Sequence, residues 1–402
     1  MAEAPKNFRP DPYPYHQELT LRIEGLTNLG LGVGRDDGWV ILAPFTLPGE
    51  TVRLRIYRNH KNYSEADLIE VIEAAPERVA PRCPLFGDCG GCQYQHLSYE
   101  GQLAWKRRHV KDAFARLAGV EAEVQPTWPS PQTYGYRSKL TPHFQKGPEG
   151  IDPIGFLRHG RRHAIVEVEH CPIATDDINQ RLPMAKEELR KTWKGKRGGT
   201  LLLRQVIEGV VTDPEEVVTE QVGARIFQFK AGEFFQNNPF LLPEIVTYVA
   251  KEAAGGGARH LVDAYCGSGL FAISASHLFK QCVGIEISAQ AAHWARANAA
   301  INRLENCEFI LGSASEVFSE VPFAGENSAL VIDPPRKGCD RKFLDQTLAF
   351  GPQRIVYVSC DPATQARDVE ALLAGGYQVK NVQPFDLFPQ TRHVESVATL
   401  GK

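Results

Sequence analysis

Two rhythms in the sequence predict a chain that is β in front and α/β behind. Between about His16 and Ala75 short segments such as "LTLRIEGL" and "TVRLRIYR" alternate apolar and polar residues. They are split by turn residues ("NLGLGVGRDDG", "TLPGE"), the pattern of a small, OB-like barrel. After about Phe229, apolar strands ("HLVDAYC", "CVGIEI", "ALVIDPP", "RIVYVSC") alternate with helical stretches, which means βαβ units and a Rossmann-like parallel sheet. Between them, "YGYRSKLTPHF", "IGFLRHGRRHAIVEVEHC" and "TLLLRQVIEGVVT" predict a central antiparallel β domain. The expected division is a loose Pro-rich tail at 1–15, a barrel at 16–76, the central β domain at 77–228 and the α/β domain at 229–402.

Length and composition allow this division. The 402 residues suffice for two or three cores. A charged fraction of 23% and a net charge of −3 are ordinary, so a nucleic-acid partner has to be argued from local patches. With no secretory h-region and no apolar run of ~18 residues, the expectation is a cytoplasmic protein with no membrane partner, read as a monomer. Nine cysteines point away from a disulfide framework and toward metal or catalytic use where they cluster. Cys282 and Cys307 stand alone in apolar company and read as small buried hydrophobes.

Three tracts are locally basic. Arg53, Arg55, Arg58 and Lys61 lie in "RLRIYRNHKNY" with no acid among them, and they are candidate nucleic-acid contacts beside the plain reading of a solvated hairpin. Lys106–Lys111 lies in a helix expected over 98–118, capped by Ser98, with Val110, Phe114 and Leu117 on one face and Gly119 ending it. Arg158–Arg162 sits at an expected hairpin tip.

The chemistry gathers at the strand ends of the last domain. "LVDAYCGSGLFA" is a strand, a glycine turn (Gly267, Gly269) and a helix start, with Asp263 before the turn and Glu286 ending the next strand. A carboxylate one βαβ step on can accept from ribose hydroxyls, and a single glycine turn suits a nucleoside ligand without a pyrophosphate. S-adenosylmethionine is such a ligand; a dinucleotide is the alternative. In "LVIDPPRKGCD", Asp333 ends a strand and two prolines stiffen its tip, with Arg336 where amine-methylating enzymes carry an aromatic residue. Cys360 in "VSCDPATQARD" ends a further strand before a helix capped by Asp361, where the helix dipole favours a thiolate; a buried small residue is the plain alternative. Glu395 lies in a strand beside His393, where a charge on an edge strand would be unremarkable.

A methyl donor, a strand-end thiol and a carboxylate suggest methylation of carbon 5 of a pyrimidine through thiolate addition at carbon 6. Together "DAYCGSG", "DPPRKG", "VSCDPATQARD" and "HVESV" resemble the RNA uracil-5-methyltransferase family. Cys83, Cys89 and Cys92 (C-x5-C-x2-C) with "EHCPI" resemble its iron–sulfur branch, and the front barrel resembles the TRAM domain. The resemblance covers nearly the whole chain. It implies a class I methyltransferase domain, Cys360 as nucleophile and Glu395 as base. It also implies donor contacts from Gln236, Tyr265, Glu286 and Asp333 near Asp263, Gly267, Gly269 and Ser313, and Phe234 beside the target base. Leu270, where an Asn is usual, and Ser313, where an acid or amide is usual, depart from the pattern.

The same resemblance makes Cys171 the fourth ligand of a [4Fe–4S] cluster, while four thiolates alone suit zinc as well. The implied substrate is a uridine in structured RNA, ribosomal (23S) or the T-loop of transfer RNA. Cytosine-5 methylation is a rival, disfavoured because Cys360 follows Ser359 rather than a proline. An RNA-binding iron–sulfur module with a degenerate methyltransferase domain is the rival from another class.

Overall fold

The computed structural model describes residues 4–147, 150–195, 197–313 and 318–402, with Arg162 described by its backbone alone. The chain forms two compact units. The first holds the residues up to Trp105 with Phe156–Val166 and Gln390–Arg392; the second holds the rest.

In the first unit, β1 (Glu18–Leu26), β2 (Leu31–Asp36), β3 (Trp39–Pro44), β4 (Thr51–Asn59) and β5 (Tyr63–Glu73) form a closed barrel in the order β1-β2-β3-β5-β4. Alternation along β4 sends Val52, Leu54 and Ile56 into a core with Ile23, Ile41 and Ala66, and turns Arg53 and Arg55 outward. At Gly34 a Cβ would come within 2.1 Å of Leu21 Cδ1, so any side chain here would have to displace Leu21. After the barrel comes the cysteine loop. Its Gly90 N–H donates to Leu157 O (2.9 Å) and its Asp88 O accepts from His159 N–H (2.7 Å).

The helix α1 (Tyr99–Ala113) begins where the sequence places it, with Ser98 Oγ accepting from Gly101 N–H at 3.2 Å. Its end differs from expectation. Phe114–Ala118 widens into a π turn before Gly119 closes it at φ 64°. The extra residue rotates the face, so Val110, Phe114 and Ala118 are buried in the core of the second unit while Leu117 is exposed.

The central strands are β6 (Lys139–Leu140), β7 (His143–Gly147), β8 (Gly150–Arg158) and β9 (Arg161–Glu167), then β10 (Gly199–Thr200), β11 (Leu203–Val206), β12 (Gly209–Val211), β13 (Val217–Val222) and β14 (Arg225–Lys230). They pair as β10-β7-β8-β9, β12-β11-β6 and β13-β14. A helix absent from the sequence reading, α2 (Asp176–Thr192), interrupts them. Pro183 masks it in sequence, yet Ile178, Leu182 and Ala185 form its buried face.

The remaining elements are α3 (Leu242–Ala254), β15 (His260–Ala264), α4 (Leu270–Ala275), β16 (Gln281–Glu286), α5 (Ala289–Ile301), β17 (Cys307–Leu311), β18 (Ser328–Ile332), α6 (Arg341–Phe350), β19 (Arg354–Ser359), α7 (Pro362–Ala374), β20 (Gln378–Phe385) and β21 (Glu395–Gly401). Seven strands form one sheet in the order β17-β16-β15-β18-β19-β21-β20. The first five are parallel and β21 runs antiparallel between β19 and β20. Apolar clusters cover both faces, as a buried parallel sheet requires. Cys282 is buried as expected but not alone: it is the register partner of half-buried Cys307. Among the described residues no helix is long and apolar enough to cross a membrane.

Candidate active site at the carboxyl edge of the sheet

Strand register brings the predicted residues to one edge. Asp263 pairs with Val331 of β18 and Gly284 of β16, and Glu286 ends β16. Asp333 follows β18 directly and Cys360 follows β19 directly. Ser359 is the register partner of Ser396, so Glu395 at the start of β21 falls beside the end of β19. Glu395 is therefore not on an edge strand: β21 is interior and the side chain is 3% exposed.

Helix caps and backbone amides fix these groups. Asp361 Oδ1 accepts from Ala363 N–H (3.0 Å) and Thr364 N–H (3.1 Å), so α7 starts two residues after Cys360, with Asp361 as its cap and Pro362 in its first turn. Glu286 accepts from Gly267 N–H (2.9 Å) and Ser288 N–H (2.7 Å), which ties the glycine turn to the end of β16. Asp263 accepts from Ala272 N–H at 2.8 Å. Gly269 has φ 90°, and a Cβ there would lie 2.8 Å from Ile273 Cδ1.

The edge is acidic and under-compensated. Burial pushes the Asp263 carboxyl up to about 8, against the Ala272 N–H that favours its anion. Burial likewise pushes Asp333 up to about 7. Glu395 is pushed well above the usual carboxylate range by burial and by Asp333, with Arg336 opposing. The Cys360 thiol rises to about 11 through burial and the Glu395 charge, and Arg336 pulls it back by charge and by a hydrogen bond. Arg336, which the sequence reading used only as a departure from an aromatic, is thus the cation that bears on both Cys360 and Glu395. Its signal was present in the sequence as the cation nearest Asp333.

Of the other predicted donor residues, Tyr265 and Ser313 lie at the same end of the sheet, just past β15 and β17. Tyr265, at φ 65°, packs edge-on to Phe343 with ring centroids 5.2 Å apart. Gln236 is half-buried in a segment anchored by Asn238, whose Nδ2 donates to Ser130 Oγ (3.1 Å) and Leu387 O (3.0 Å). Phe234 in the same segment is 78% exposed, a large aromatic face offered to solvent. Ser313 is half-buried just past β17, and Leu270 is buried at the start of α4.

The basic tracts fare differently from the expectation of free positive charge. Each arginine of β4 faces an acid that is its register partner on β5: Arg53 with Glu70 (3.0 Å), Arg55 with Asp67 (3.3 Å) and Arg58 with Glu65 (3.7 Å). Arg53 also bonds Glu18 at 3.0 Å. The stretch has no acid in sequence but acquires four by strand pairing, while Lys61 is exposed in the turn beyond. Lys106 points inward, fully buried, to Asp386 and Phe388 O. Arg158 pairs with Asp88 at 3.1 Å, and the side chain of Arg162 lies outside the described residues.

Cys83, Cys89, Cys92 and Cys171 are half-buried. Cys83, Cys89 and Cys92 share one loop of the first unit, where Gly91 N–H donates to Cys89 Sγ at 3.4 Å and the Cys83 charge bears on Cys89. Cys171 belongs to the second unit, its N–H held by Asn179 Oδ1 at 2.8 Å. Among the described residues no group of three or more His, Cys, Asp or Glu side chains is gathered to hold a metal ion.

Comparison with known proteins agrees with this geometry. Residues 210–402 match the tRNA (uracil-5-)-methyltransferase family model, and residues 16–69 match the TRAM domain. A tRNA (uracil(54)-C(5))-methyltransferase of Schizosaccharomyces pombe is 41% identical over 97% of this chain and 79% of its own length. The Saccharomyces cerevisiae enzyme of the same name is 34% identical over 96% of this chain and 74% of its own. The crystal structure of the Pyrococcus abyssi tRNA (uracil-54, C5)-methyltransferase with S-adenosyl-L-homocysteine superposes with a TM-score of 0.72 at 26% identity, covering 95% of this chain and all of that one.

Proposed function

The chain belongs to the tRNA (uracil-5-)-methyltransferase family and is an S-adenosylmethionine-dependent RNA uracil-5-methyltransferase; we propose that its substrate is uracil 54 of transfer RNA. Three relatives that cover 95–97% of the chain carry that base in their names, which favours transfer RNA over ribosomal RNA. The observation that carries the mechanism is the register of β19 against β21, which sets Cys360 beside Glu395.

Uracil carbon 5 is a poor nucleophile, so Cys360 acts first. Its thiolate adds to carbon 6, and the electron pair displaced along the ring makes carbon 5 carbanion-like. Arg336 stabilises the thiolate before attack, against burial and two carboxylates. The bound donor supplies an electrophilic methyl group to carbon 5. Glu395 then takes the carbon 5 proton, and the carbon–sulfur bond breaks to return the Cys360 thiolate. A buried carboxyl with a raised pKa suits a base that must also release its proton each cycle. Phe234 stacks against the base once it has left the loop, at an unstacking cost of a few kcal/mol.

Two substitutions test the sequence of steps. With Cys360→Ala, methylation and the covalent enzyme–RNA adduct both disappear. With Glu395→Gln, attack and methyl transfer proceed but elimination stalls, leaving an adduct that survives denaturing electrophoresis and carries label from the donor methyl. Normal turnover by Glu395→Gln would assign the base elsewhere.

We further propose that Cys83, Cys89, Cys92 and Cys171 hold a [4Fe–4S] cluster. The donor set fits: thiolates are soft ligands, and an amide N–H directed at Cys89 Sγ is the kind of hydrogen bond that tunes cluster sulfur. Bound there, the cluster would serve structure rather than the reaction, because uracil methylation moves no net electron. Anaerobically purified protein should be brown with about four irons per chain; stoichiometric zinc without visible absorbance would overturn the assignment.

A further inference from the structure

We propose that Asp368 is a positioning residue for methyl transfer, seating the loop after β18 on α7 so that Arg336 stands beside the Cys360 thiol. The proposal rests on the reading of Cys360 as nucleophile. Asp368 lies in the second turn of α7 and is 1% exposed. Its Oδ2 accepts from Cys339 N–H (2.7 Å) and from Tyr357 OH (2.7 Å), and its Oδ1 accepts from Arg367 Nε (2.9 Å) and Nη2 (2.7 Å). Arg367 Nη2 also donates to Lys337 O at 2.9 Å. Between these anchors Gly338 sits at φ 77°, where a Cβ would come within 2.5 Å of both Asp368 Oδ2 and Arg367 Nη2.

The loop is therefore pinned on both sides of its cation. Pro334 and Pro335 restrict the backbone before Arg336, and residues 337–339 are seated one after another on α7 behind it. Tyr357 belongs to β19, three residues before Cys360, so one carboxylate ties the loop and the nucleophile's strand to the same helix. One turn earlier Gln365 Nε2 donates to Tyr357 O (2.8 Å) and Ser396 O (3.0 Å), next to Glu395. A buried carboxylate is costly unless its partners are complete, and an apolar residue would fill the space more cheaply. What the carboxylate adds is directional contact with the loop.

The consequence is electrostatic. The charged groups that face Cys360 are Glu395 from β21 and Asp333 and Arg336 from the loop. Only Arg336 favours the thiolate, so a loosened loop loses the one group that opposes the carboxylates.

The test is alkylation of Cys360 in the full-length protein by iodoacetamide between pH 7.5 and 10.5, quantified by mass spectrometry of its peptide. Three single variants are compared: Arg336→Gln, Asp368→Asn, and Gly338→Ala, which crowds the seat while leaving Asp368 in place. Each should lower the Cys360 rate by ~5–10-fold across this range through a raised thiol pKa. Combining Asp368→Asn with Arg336→Gln should add nothing to Arg336→Gln alone, because both act through the same guanidinium. The proposal is overturned if Asp368→Asn and Gly338→Ala alkylate at the wild-type rate or faster, whatever their melting temperatures, or if the double variant is additive. Alkylation needs neither RNA nor donor, so failure here is distinct from failure of the covalent mechanism, which the adduct experiment reads.

Discussion

The barrel and the carboxyl edge of the seven-stranded sheet both carry rows of charge, and they treat it in opposite ways. On β4 every arginine meets an acid across the strand pair, and the pairs stand exposed or half-exposed to solvent. At the sheet edge Asp263, Asp333 and Glu395 are gathered out of water, with Arg336 as the cation bearing on Glu395 and on Cys360. Paired, exposed charge is nearly neutral in its effect and indifferent to ligands. Unpaired, desolvated carboxylates hold their protons tightly and favour whatever cation arrives. The donor of this family carries a sulfonium and an ammonium, so the edge is preset for a positively charged ligand.

This difference can be sharpened first at the acidic edge, where the effect of pH should be large. Asp333 at about 7 and Asp263 at about 8 both lie above the usual carboxylate range, so the donor-free folded state binds protons that the unfolded chain has released. Its stability should therefore fall as pH rises from about 4 and level off above about 8. Donor binding should have the opposite dependence. A cation lowers these pKa values and expels protons, so affinity should weaken roughly tenfold from pH 8 to pH 6 for a single group at about 7 whose pKa in the complex falls below that range. Calorimetry in buffers of different ionisation enthalpy checks the proton release. Asp333→Asn should flatten the dependence, and a pH-independent affinity would remove the carboxylates from the donor site.

At the barrel the same kind of experiment should give a small answer. Replacing Arg53, Arg55 and Arg58 together by Gln should leave the melting temperature within ~2 °C, because exposed pairs contribute little. The replacement also frees Glu18, Glu65, Asp67 and Glu70, so RNA binding should weaken more through added negative charge than through lost phosphate contacts. Removing Lys61 alone isolates the cation at the turn: its loss should reduce the salt slope of RNA binding by about one contact or less. An unchanged slope would show that this end of the barrel does not touch phosphate.

The catalytic strand tips were legible because a parallel sheet puts ligands at its carboxyl ends. Asp263, Glu286, Asp333 and Cys360 each close or follow an apolar strand, and that pattern is local. Glu395 was legible as a residue of a strand but not as an interior one, since nothing within "HVESVATL" says which strands will flank it. The π turn at Phe114–Ala118 was hidden because a single inserted residue leaves the apolar spacing readable as an ordinary helix, and α2 was hidden behind Pro183. Arg53, Arg55 and Arg58 misled for a different reason: charge counted along the chain omits acids that arrive from another strand.

The order and kind of candidate site residues belong to the sequence itself: glycine turn, strand-end carboxylate, Asp-Pro-Pro-Arg tip, thiol before a capped helix, and a late glutamate. Each is read within about fifteen residues, because backbone geometry and capping act over that distance. Their meeting was decided only by the tertiary structure. Insertion of β21 between β19 and β20 sets Glu395 against Cys360, pairing of β4 with β5 neutralises the basic tract, and Asp368 seats the loop that carries Arg336. The physical reason is the same in all three. Which charges lie within ~4–6 Å of one another, and how far they stand from water, is set by strand order and register, and those set the protonation states on which the chemistry depends.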